Sequence, residues 1–101
     1  MKRLQDNVTI ITGGGKGIGF GLAQAFAEEG SDLVLTGRTE SRLLTAKEEL
    51  ETRYGIRVLP IVADGADEAA IRGVVRKTIE TFGRIDTLVN NAQVSRSGLP
   101  L

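Results

Sequence analysis

A cluster of glycines directly after a short apolar run is the feature that most constrains this chain. The run covers residues 8–12, and the segment Gly-Gly-Gly-Lys-Gly-Ile-Gly follows at 13–19. Glycine has no Cβ, so such a segment can turn sharply and bring its backbone close to another group. The next residues have helical period, and a helix N-terminus presents free N–H groups and partial positive charge. The segment therefore predicts a tight turn from a strand into a helix, with the geometry of a phosphate site.

Four short apolar runs predict the strands of a parallel sheet. They are continuous rather than alternating in polarity, which is typical of strands that helices cover on both faces. The four runs are 8–12, 33–36, 58–62 and 88–90.

Three segments between these runs repeat apolar residues with the period of an α-helix. The predicted helices are 17–29, 40–54 and 68–82, with Thr39 and Asp67 as N-caps and with Gly30, Gly55 and Gly83 at the C-termini. The residues predicted to face the sheet are Ile18, Leu22, Ala25 and Phe26, then Leu43, Ala46, Leu50 and Tyr54, then Ile71, Val74, Val75, Ile79 and Phe82. The residues of the second helix predicted to face water are Lys47, Glu48 and Glu51.

The order of these elements predicts a doubly wound α/β fold. Strands and helices alternate as β-α-β-α-β-α-β, and crossovers between parallel strands are almost always right-handed. The strand order that follows is 3-2-1-4, a partial Rossmann-like sheet whose winding reverses between its first and fourth strands. Ligands of such folds bind outside the carboxyl ends of the strands, near this reversal. We therefore expect a ligand site where the glycine segment leaves the first strand.

Composition argues against several classes of function. Among 101 residues, 13 Lys and Arg balance 13 Asp and Glu, so no net positive field attracts nucleic acid or an anionic membrane. Without cysteine or histidine the chain can form no disulfide, thiolate nucleophile or ordinary zinc site, and we predict no metal ligands. Polar residues follow the basic start, unlike a secretory signal, and no apolar run approaches the about 18 residues of a membrane span. We expect a cytoplasmic protein.

The spacing of the glycines distinguishes between kinds of phosphate-binding turn. Ile10 stands where a P-loop would need its first glycine if Lys16 were its lysine, and the strict G-x-G-x-x-G pattern does not fit either. The pattern Thr-Gly-x-x-x-Gly-x-Gly does fit, at Thr12, Gly13, Gly17 and Gly19.

With this spacing the sequence resembles the short-chain dehydrogenase/reductase family. A second motif supports the resemblance, because Asn90-Asn91-Ala92 at the end of the fourth run is similar to the family's Asn-Asn-Ala-Gly segment. Gln93 departs from the family's glycine. The resemblance covers essentially the whole chain, but only the cofactor half of the family's fold. It implies that the chain binds a nicotinamide dinucleotide through Gly13, Gly15, Lys16, Gly17, Ile18, Gly19, Arg38, Asp64, Asn90, Asn91 and Ala92.

The end of the second strand indicates which nicotinamide cofactor is used. An NAD site usually has an acidic residue there to bind the ribose hydroxyls, whereas this sequence has Gly37 and Arg38. Asp32 precedes the predicted strand and so lies at the opposite end of the sheet. The guanidinium of Arg38 suits a 2′-phosphate, and family members that use NADP often have a second basic residue where Lys16 stands. We expect NADP(H) rather than NAD(H).

Several of these residues have a simpler interpretation. The glycines could form only a tight turn, and the amides of Asn90 and Asn91 could satisfy only local turn hydrogen bonds. Asp64 matches the family's acidic contact to the adenine amino group, but it could equally cap the third helix. Lys16 and Arg38 could simply be solvated.

The family's catalytic residues are not found in this sequence. Members use a Tyr-x-x-x-Lys pair and a Ser, whereas the single tyrosine, Tyr54, is followed four residues later by Val58. Ser95 and Ser97 lie in the tail without a nearby base. We therefore predict no catalytic residues, and we expect the 101 residues alone to be inactive. We expect Tyr54 to pack through its ring.

The resemblance implies a parent oxidoreductase that transfers hydride between NADP(H) and a carbonyl or secondary alcohol, similar to 3-oxoacyl-acyl-carrier-protein reductases. The alternatives are a non-catalytic nucleotide-binding module and a structural fragment without turnover. The predicted organisation is a dinucleotide-binding half-domain at 1–92 and a tail at 93–101, truncated before the catalytic segment. The fourth strand would then have an unpaired edge, so we expect a homo-oligomer or a missing C-terminal half.

Overall fold

The computed structural model describes residues 3–91, in which four strands alternate with three helices. The elements are β1 (Val8–Thr12), α1 (Gly17–Glu28), β2 (Asp32–Gly37), α2 (Glu40–Tyr54), β3 (Val58–Val62), α3 (Glu68–Phe82) and β4 (Thr87–Asn90). The predicted alternation is confirmed, and each boundary lies within one residue of its predicted place. Ala92 and the tail at 93–101 lie outside the described residues. No helix within 3–91 is both long enough and apolar enough to span a membrane.

The four strands form one parallel sheet in the order β3-β2-β1-β4, as predicted. The register aligns Thr12 with Thr36 on one side and with Asn90 on the other, while Gly37 aligns with Val62. The carboxyl ends of all four strands therefore meet at one edge of the sheet, where the loops into the helices begin.

Helices cover both faces of the sheet. On one face, α1 and α2 bury a cluster that includes Ala23, Leu43 and Leu50 against Ile11 and Leu35. On the other face, α3 buries a smaller cluster through Val74 against strand residues that include Ile10 and Val34. Continuous burial of β1 and of the middle of β2 follows from this arrangement, as the apolar runs predicted.

The buried face of α1 differs from the prediction. Ile18 is 76% exposed and Ala25 is also exposed, so the expectation that both face the sheet was wrong. The buried residues are Gly19, Ala23 and Ala27, spaced four apart. A stripe of small residues lets a helix lie close to a sheet, and the larger Leu22 and Phe26 then pack half-buried along its side.

A similar correction applies to α3. Ile79 was expected to be buried but is 47% exposed, and Thr78 takes the core-facing position instead. The Thr78 hydroxyl donates to the carbonyl of Val74 at 2.7 Å, which satisfies its hydrogen-bonding need inside the core. Adjacent helical residues point about 100° apart, so burial of Thr78 turns Ile79 outward. The predicted N-cap is confirmed, because Asp67 accepts from the N–H groups of Ala69 and Ala70.

Two carboxylates hold the amino edge of the sheet. Asp32 forms an ion pair with Arg57, whose Nε and Nη2 both donate to Oδ2, while Oδ1 accepts from the backbone N–H of Arg57. Asp86 accepts from the N–H of Val8 at 2.8 Å and pairs with Arg84, whose hydrogen bonds hold the pKa of that carboxyl below its usual value. The acidic residue at the start of β2 is therefore committed to the amino edge, as expected.

Lys47 and Glu51 tie α2 to β3, so the prediction that they face water was wrong. Lys47 Nζ donates to Glu51 at 2.8 Å and to the carbonyl of Val58 at 3.0 Å, and the Val58 N–H donates to Glu51 at 2.9 Å. Burial raises the pKa of Glu51, but these hydrogen bonds and the Lys47 charge outweigh it and hold the pKa below the usual 4.5.

We expect Glu51→Gln to lower the free energy of unfolding at pH 7 by about 0.5–1 kcal/mol, since the partly exposed carboxylate is screened by solvent. A carboxylate whose pKa is lower in the folded state stabilises above its unfolded pKa, near 4.5. The deficit of the variant should therefore shrink as pH falls below that value. Urea unfolding at several pH values measures it, with Glu48→Gln, an exposed charge of the same helix, as the control. An equal loss in both variants would contradict the role of the α2–β3 tie.

Candidate functional site

A cleft of about 460 Å³ opens at the carboxyl edge of the sheet, above β1, β2 and β3. Its walls come from the glycine loop after β1, the start of α2 after β2 and the loop after β3. The lining residues are Gly13, Gly15, Lys16, Gly37, Arg38, Thr39, Arg42, Leu43, Ala63, Asp64, Gly65 and Ala66. Five of the eleven predicted site residues are thus brought together: Gly13, Gly15, Lys16, Arg38 and Asp64.

The glycine loop is fixed to the end of β2 by two backbone hydrogen bonds. The N–H groups of Gly13 and Gly14 both donate to the carbonyl of Thr36, at 2.8 and 3.1 Å. Gly13 and Gly17 have φ values of 69° and 60°, which other residues rarely adopt. The backbone therefore turns through a conformation that favours glycine at the start of the loop, at Gly13, and again at the first residue of α1, Gly17.

Gly19 needs the absence of a side chain for a different reason. A Cβ on Gly19 would collide with the carbonyl oxygen of Gly13, because α1 passes directly against the start of the loop. The amide of Asn91 donates to the same carbonyl at 3.4 Å and lies 3.0 Å from the Cβ position of Gly19. The carbonyl of Gly13 thus joins the glycine loop to the end of the fourth strand, which are 78 residues apart in sequence.

The two asparagines have separate contacts. Asn90 aligns with Thr12 in the register, and its Oδ1 accepts from the Thr12 hydroxyl at 3.0 Å. Asn91, one residue later, is the one that reaches Gly13. Asn90 and Asn91 thus contact two consecutive residues, Thr12 and Gly13. Both asparagines lie beside the cleft rather than in its lining, as do Gly17, Ile18 and Gly19.

The N-terminus of α1 has no side-chain cap. Lys16 is its N-cap residue, with extended backbone, and its side chain cannot accept a hydrogen bond. The first N–H groups of a helix have no partner within the helix, and they carry partial positive charge. Lys16 and Gly15 both line the cleft, so this positive end lies at its wall.

Three cations reach the same cleft, and sequence reasoning missed one of them. Lys16 and Arg38 were predicted, whereas Arg42 was not. Its signal was its spacing, since a residue four after Arg38 and on the first turn of a helix after β2 must lie at the carboxyl edge. Within residues 3–91 none of the three forms an ion pair, whereas other cations do, namely Lys47, Arg57, Arg72 and Arg84.

Asp64 lines the cleft from the loop between β3 and α3. Its Oδ1 accepts from the N–H of Ala66 at 2.9 Å, and its carbonyl accepts from the N–H of Asp67 at 3.0 Å. The side chain therefore shapes the turn that leads to α3, while Asp67 caps that helix itself. The alternative interpretation, that Asp64 caps the third helix, is therefore wrong, and the exposed Asp64 lines the cleft.

Tyr54 lies far from this cleft along α2. It is half-buried against the core, and the guanidinium of Arg53 lies 5.4 Å from its ring centroid. Packing of its ring, as expected, accounts for this residue.

Comparison with known proteins identifies the family. Residues 7–99 match the short chain dehydrogenase family. A 12alpha-hydroxysteroid dehydrogenase of a Clostridium species is 57% identical over 100 aligned residues, which cover 93% of this chain and 39% of that protein. A 3-oxoacyl-[acyl-carrier-protein] reductase of Chlamydia muridarum is 34% identical, covering 95% of this chain and 39% of that protein. The chain belongs to the short-chain dehydrogenase/reductase family of oxidoreductases.

Solved structures share the fold. L-sorbose reductase from Gluconobacter frateurii, complexed with NADPH and L-sorbose, superposes with a TM-score of 0.87 and 37% identity, over 94% of this chain and 36% of that one. NAD⁺-bound xylitol dehydrogenase superposes with a TM-score of 0.84 and 33% identity, over 90% and 35%. This chain thus spans less than two fifths of the length of these relatives, and the relatives themselves bind different nicotinamide dinucleotides.

We expect Gly19→Ala to lower the free energy of unfolding by about 1–3 kcal/mol, because its methyl group meets the Gly13 carbonyl and forces α1 away from the loop. Gly21→Ala is the matched control on the same helix, since a Cβ there meets nothing within 4 Å. That control should gain up to about 1 kcal/mol from helix propensity. Urea unfolding measures both variants. If Gly19→Ala were as stable as the unsubstituted chain, the close contact between Gly19 and the Gly13 carbonyl would be contradicted.

Proposed function

We propose that this chain is the NADP(H)-binding part of a short-chain dehydrogenase/reductase that transfers hydride between NADP(H) and a carbonyl or secondary alcohol. The observation that carries the proposal is the pair of cations, Lys16 and Arg38, in the wall of one cleft at the end of β2. Position 37, where an acidic residue could bind ribose hydroxyls, is a glycine. When bound, the nicotinamide group donates or accepts the hydride.

The residues at the carboxyl edge fit a dinucleotide. The glycine loop leaves room for a pyrophosphate beside the uncapped N-terminus of α1, which supplies N–H donors and positive charge. Arg38 and Lys16 would hold the 2′-phosphate, and Asp64 would accept from the adenine amino group. The remaining proposed contacts of the cofactor are Gly13, Gly15, Gly17, Ile18, Gly19, Asn90, Asn91 and Ala92.

Exposure of Ile18 supports its place in this set. An isoleucine that is 76% exposed on the first turn of α1 does not contribute to the core. Its position directly after Gly17 puts an apolar side chain at the edge where the dinucleotide would lie. Contact with the cofactor would remove this apolar surface from water, which favours binding.

A preference for NADP(H) follows from charge. Charge-assisted hydrogen bonds contribute about 1.5–3 kcal/mol each, so one contact to a 2′-phosphate changes relative affinity by about tenfold to a hundredfold. Neither Lys16 nor Arg38 has an ion-pair partner within residues 3–91, so neither must first break a pair to bind a phosphate. The relatives use both kinds of cofactor, so the preference must come from such local residues rather than from the fold.

The substrate class is proposed from the family alone. The names of the hydroxysteroid dehydrogenase and the 3-oxoacyl reductase both indicate reactions at a carbonyl group or the corresponding alcohol. We propose this shared chemistry for the whole protein. We propose that the 101 residues alone catalyse no turnover, because Tyr54 is not followed by the lysine of a Tyr-x-x-x-Lys pair. This same feature favours the second candidate, a nucleotide-binding module without catalysis. We propose a cytoplasmic location.

Calorimetric titration with NADPH and with NADH tests the proposal. We expect selective binding of NADPH, weakened about tenfold or more by Arg38→Ala with little change for NADH, because the lost guanidinium contacts only the 2′-phosphate. Arg72→Ala, which removes the same charge from α3 on the other face of the sheet, is the control. Binding of neither cofactor, or equal affinity for both, would refute the NADP(H) assignment.

The edge of β4 generates a further prediction about partners. Among the described residues, β4 pairs only with β1, its burial alternates, and Leu88 is 48% exposed. Unpaired edges with apolar side chains bind further strands, so we propose that this edge pairs with a second copy or with another part of the protein. Light scattering after size exclusion should show a dimer or larger species for the 101 residues alone. A monomer of ordinary stability would contradict it.

A further inference from the structure

Arg42 occupies a place that the family resemblance does not assign. It is the third residue of α2, it is exposed, and it lines the cleft together with Lys16 and Arg38. A second groove of about 410 Å³ lies between α1 and α2, and Lys16 and Arg42 line that groove as well. These two cations therefore stand on the ridge between the cleft and the groove.

The backbone of Arg42 is held against the glycine loop. A Cβ placed on Gly15 would lie 3.6 Å from the Cβ of Arg42 and 3.7 Å from its carbonyl carbon. The next residue, Leu43, is buried, and its Cδ2 lies 3.4 Å from the Cβ positions of both Gly15 and Gly37. Leu43 thus fills the space between the glycine loop and the end of β2, and this packing fixes the first turn of α2. The stem of Arg42 starts from a defined point, while its guanidinium remains exposed.

The charges that line the cleft favour an anionic ligand. Among the described residues that line the cleft, Asp64 is the sole acidic one, and its carboxylate already accepts from the N–H of Ala66. Arg42 forms no ion pair within residues 3–91. The N-cap residue of α2, Thr39, makes no capping hydrogen bond through its side chain, so the positive end of this helix also faces the cleft.

We propose that Arg42 is a specificity-determining residue that supplies a third positive charge to the 2′-phosphate of the cofactor. The proposal rests on the function proposed above, and it adds a residue on α2 to the pair formed by Lys16 and Arg38. The guanidinium of Arg42 starts from the first turn of α2, beside Gly15 of the glycine loop, and so can reach an anion in the cleft that Lys16 and Arg38 also line. Three cations on one phosphate make selectivity depend on ionic strength, because partly exposed charges are screened by salt.

Two pairs of ligands distinguish a contact between Arg42 and the 2′-phosphate from a contact with the rest of the cofactor. NADPH and NADH differ by the 2′-phosphate, as do the adenosine fragments 2′,5′-ADP and 5′-AMP. We expect Arg42→Ala to weaken NADPH and 2′,5′-ADP by about tenfold, the lower end of a charge-assisted contact at an exposed site. The affinities for NADH and 5′-AMP should change by less than about twofold, since these ligands lack the phosphate that Arg42 would contact. The loss should diminish as salt is raised.

Arg76→Ala is the matched control, because it removes an exposed arginine from the middle of α3, on the other face of the sheet. It should leave the affinity for NADPH unchanged, and thermal unfolding should show both variants folded. Equal losses for NADPH and NADH would overturn the proposal, since they indicate stacking on the adenine or a shift of α2. An unchanged affinity of Arg42→Ala for NADPH would also overturn it.

The outcomes for the two proposals are distinct. If the unsubstituted chain prefers NADPH and Arg38→Ala abolishes that preference while Arg42→Ala does not, the inference about Arg42 fails alone. If the unsubstituted chain binds neither nucleotide, the proposed function fails and the role of Arg42 fails with it.

Discussion

The carbonyl group of Gly13 is where the first helix, the glycine loop and the fourth strand meet. Gly19 can lie against it because Gly19 has no side chain, and the amide of Asn91 donates to it from the end of β4. Close approach at this point fixes the direction in which α1 leaves the sheet, and therefore where its uncapped N-terminus lies. The stripe of Gly19, Ala23 and Ala27 continues the same close contact along the helix. The two family motifs thus contact each other at this carbonyl, through Gly19 and Asn91.

The net charge of the chain is zero, but the charged residues at the two ends of the strands differ in whether they are paired. At the amino edge, Asp32 and Asp86 are neutralised by Arg57 and Arg84 and accept backbone N–H groups. At the carboxyl edge, Lys16, Arg38 and Arg42 have no ion-pair partner within residues 3–91. An ion pair must be broken before its cation can bind another anion, and the three cations of the carboxyl edge have no such pair to break within the described residues. A balanced composition thus conceals a local positive field.

The second helix connects stability to the cleft. Its first turn lies against the glycine loop through Arg42 and fills the floor of the cleft with Leu43. Its last turns are tied to β3 by Lys47 and Glu51. Relatives that bind NADPH or NAD⁺ share this fold, so the fold alone does not determine which of the two cofactors a member binds.

The sequence by itself determined the order and type of the elements and the order of the strands. It also predicted the five site residues that line one cleft, which are Gly13, Gly15, Lys16, Arg38 and Asp64. The elements and their order follow from local patterns, because apolar runs and helical period act over a few residues and the right-handed crossover restricts how they combine. The site residues follow from the resemblance of the motifs to a known family. The tertiary structure decided which face of each helix is buried. Ile18 and Ile79 are exposed because Gly19 and Thr78 fit the space against the sheet. It also decided that Lys47 and Glu51 bind β3, and that Arg42 reaches the cleft. Periodicity does not contain this information, since it depends on how closely two elements approach and on which partners the neighbouring strand presents.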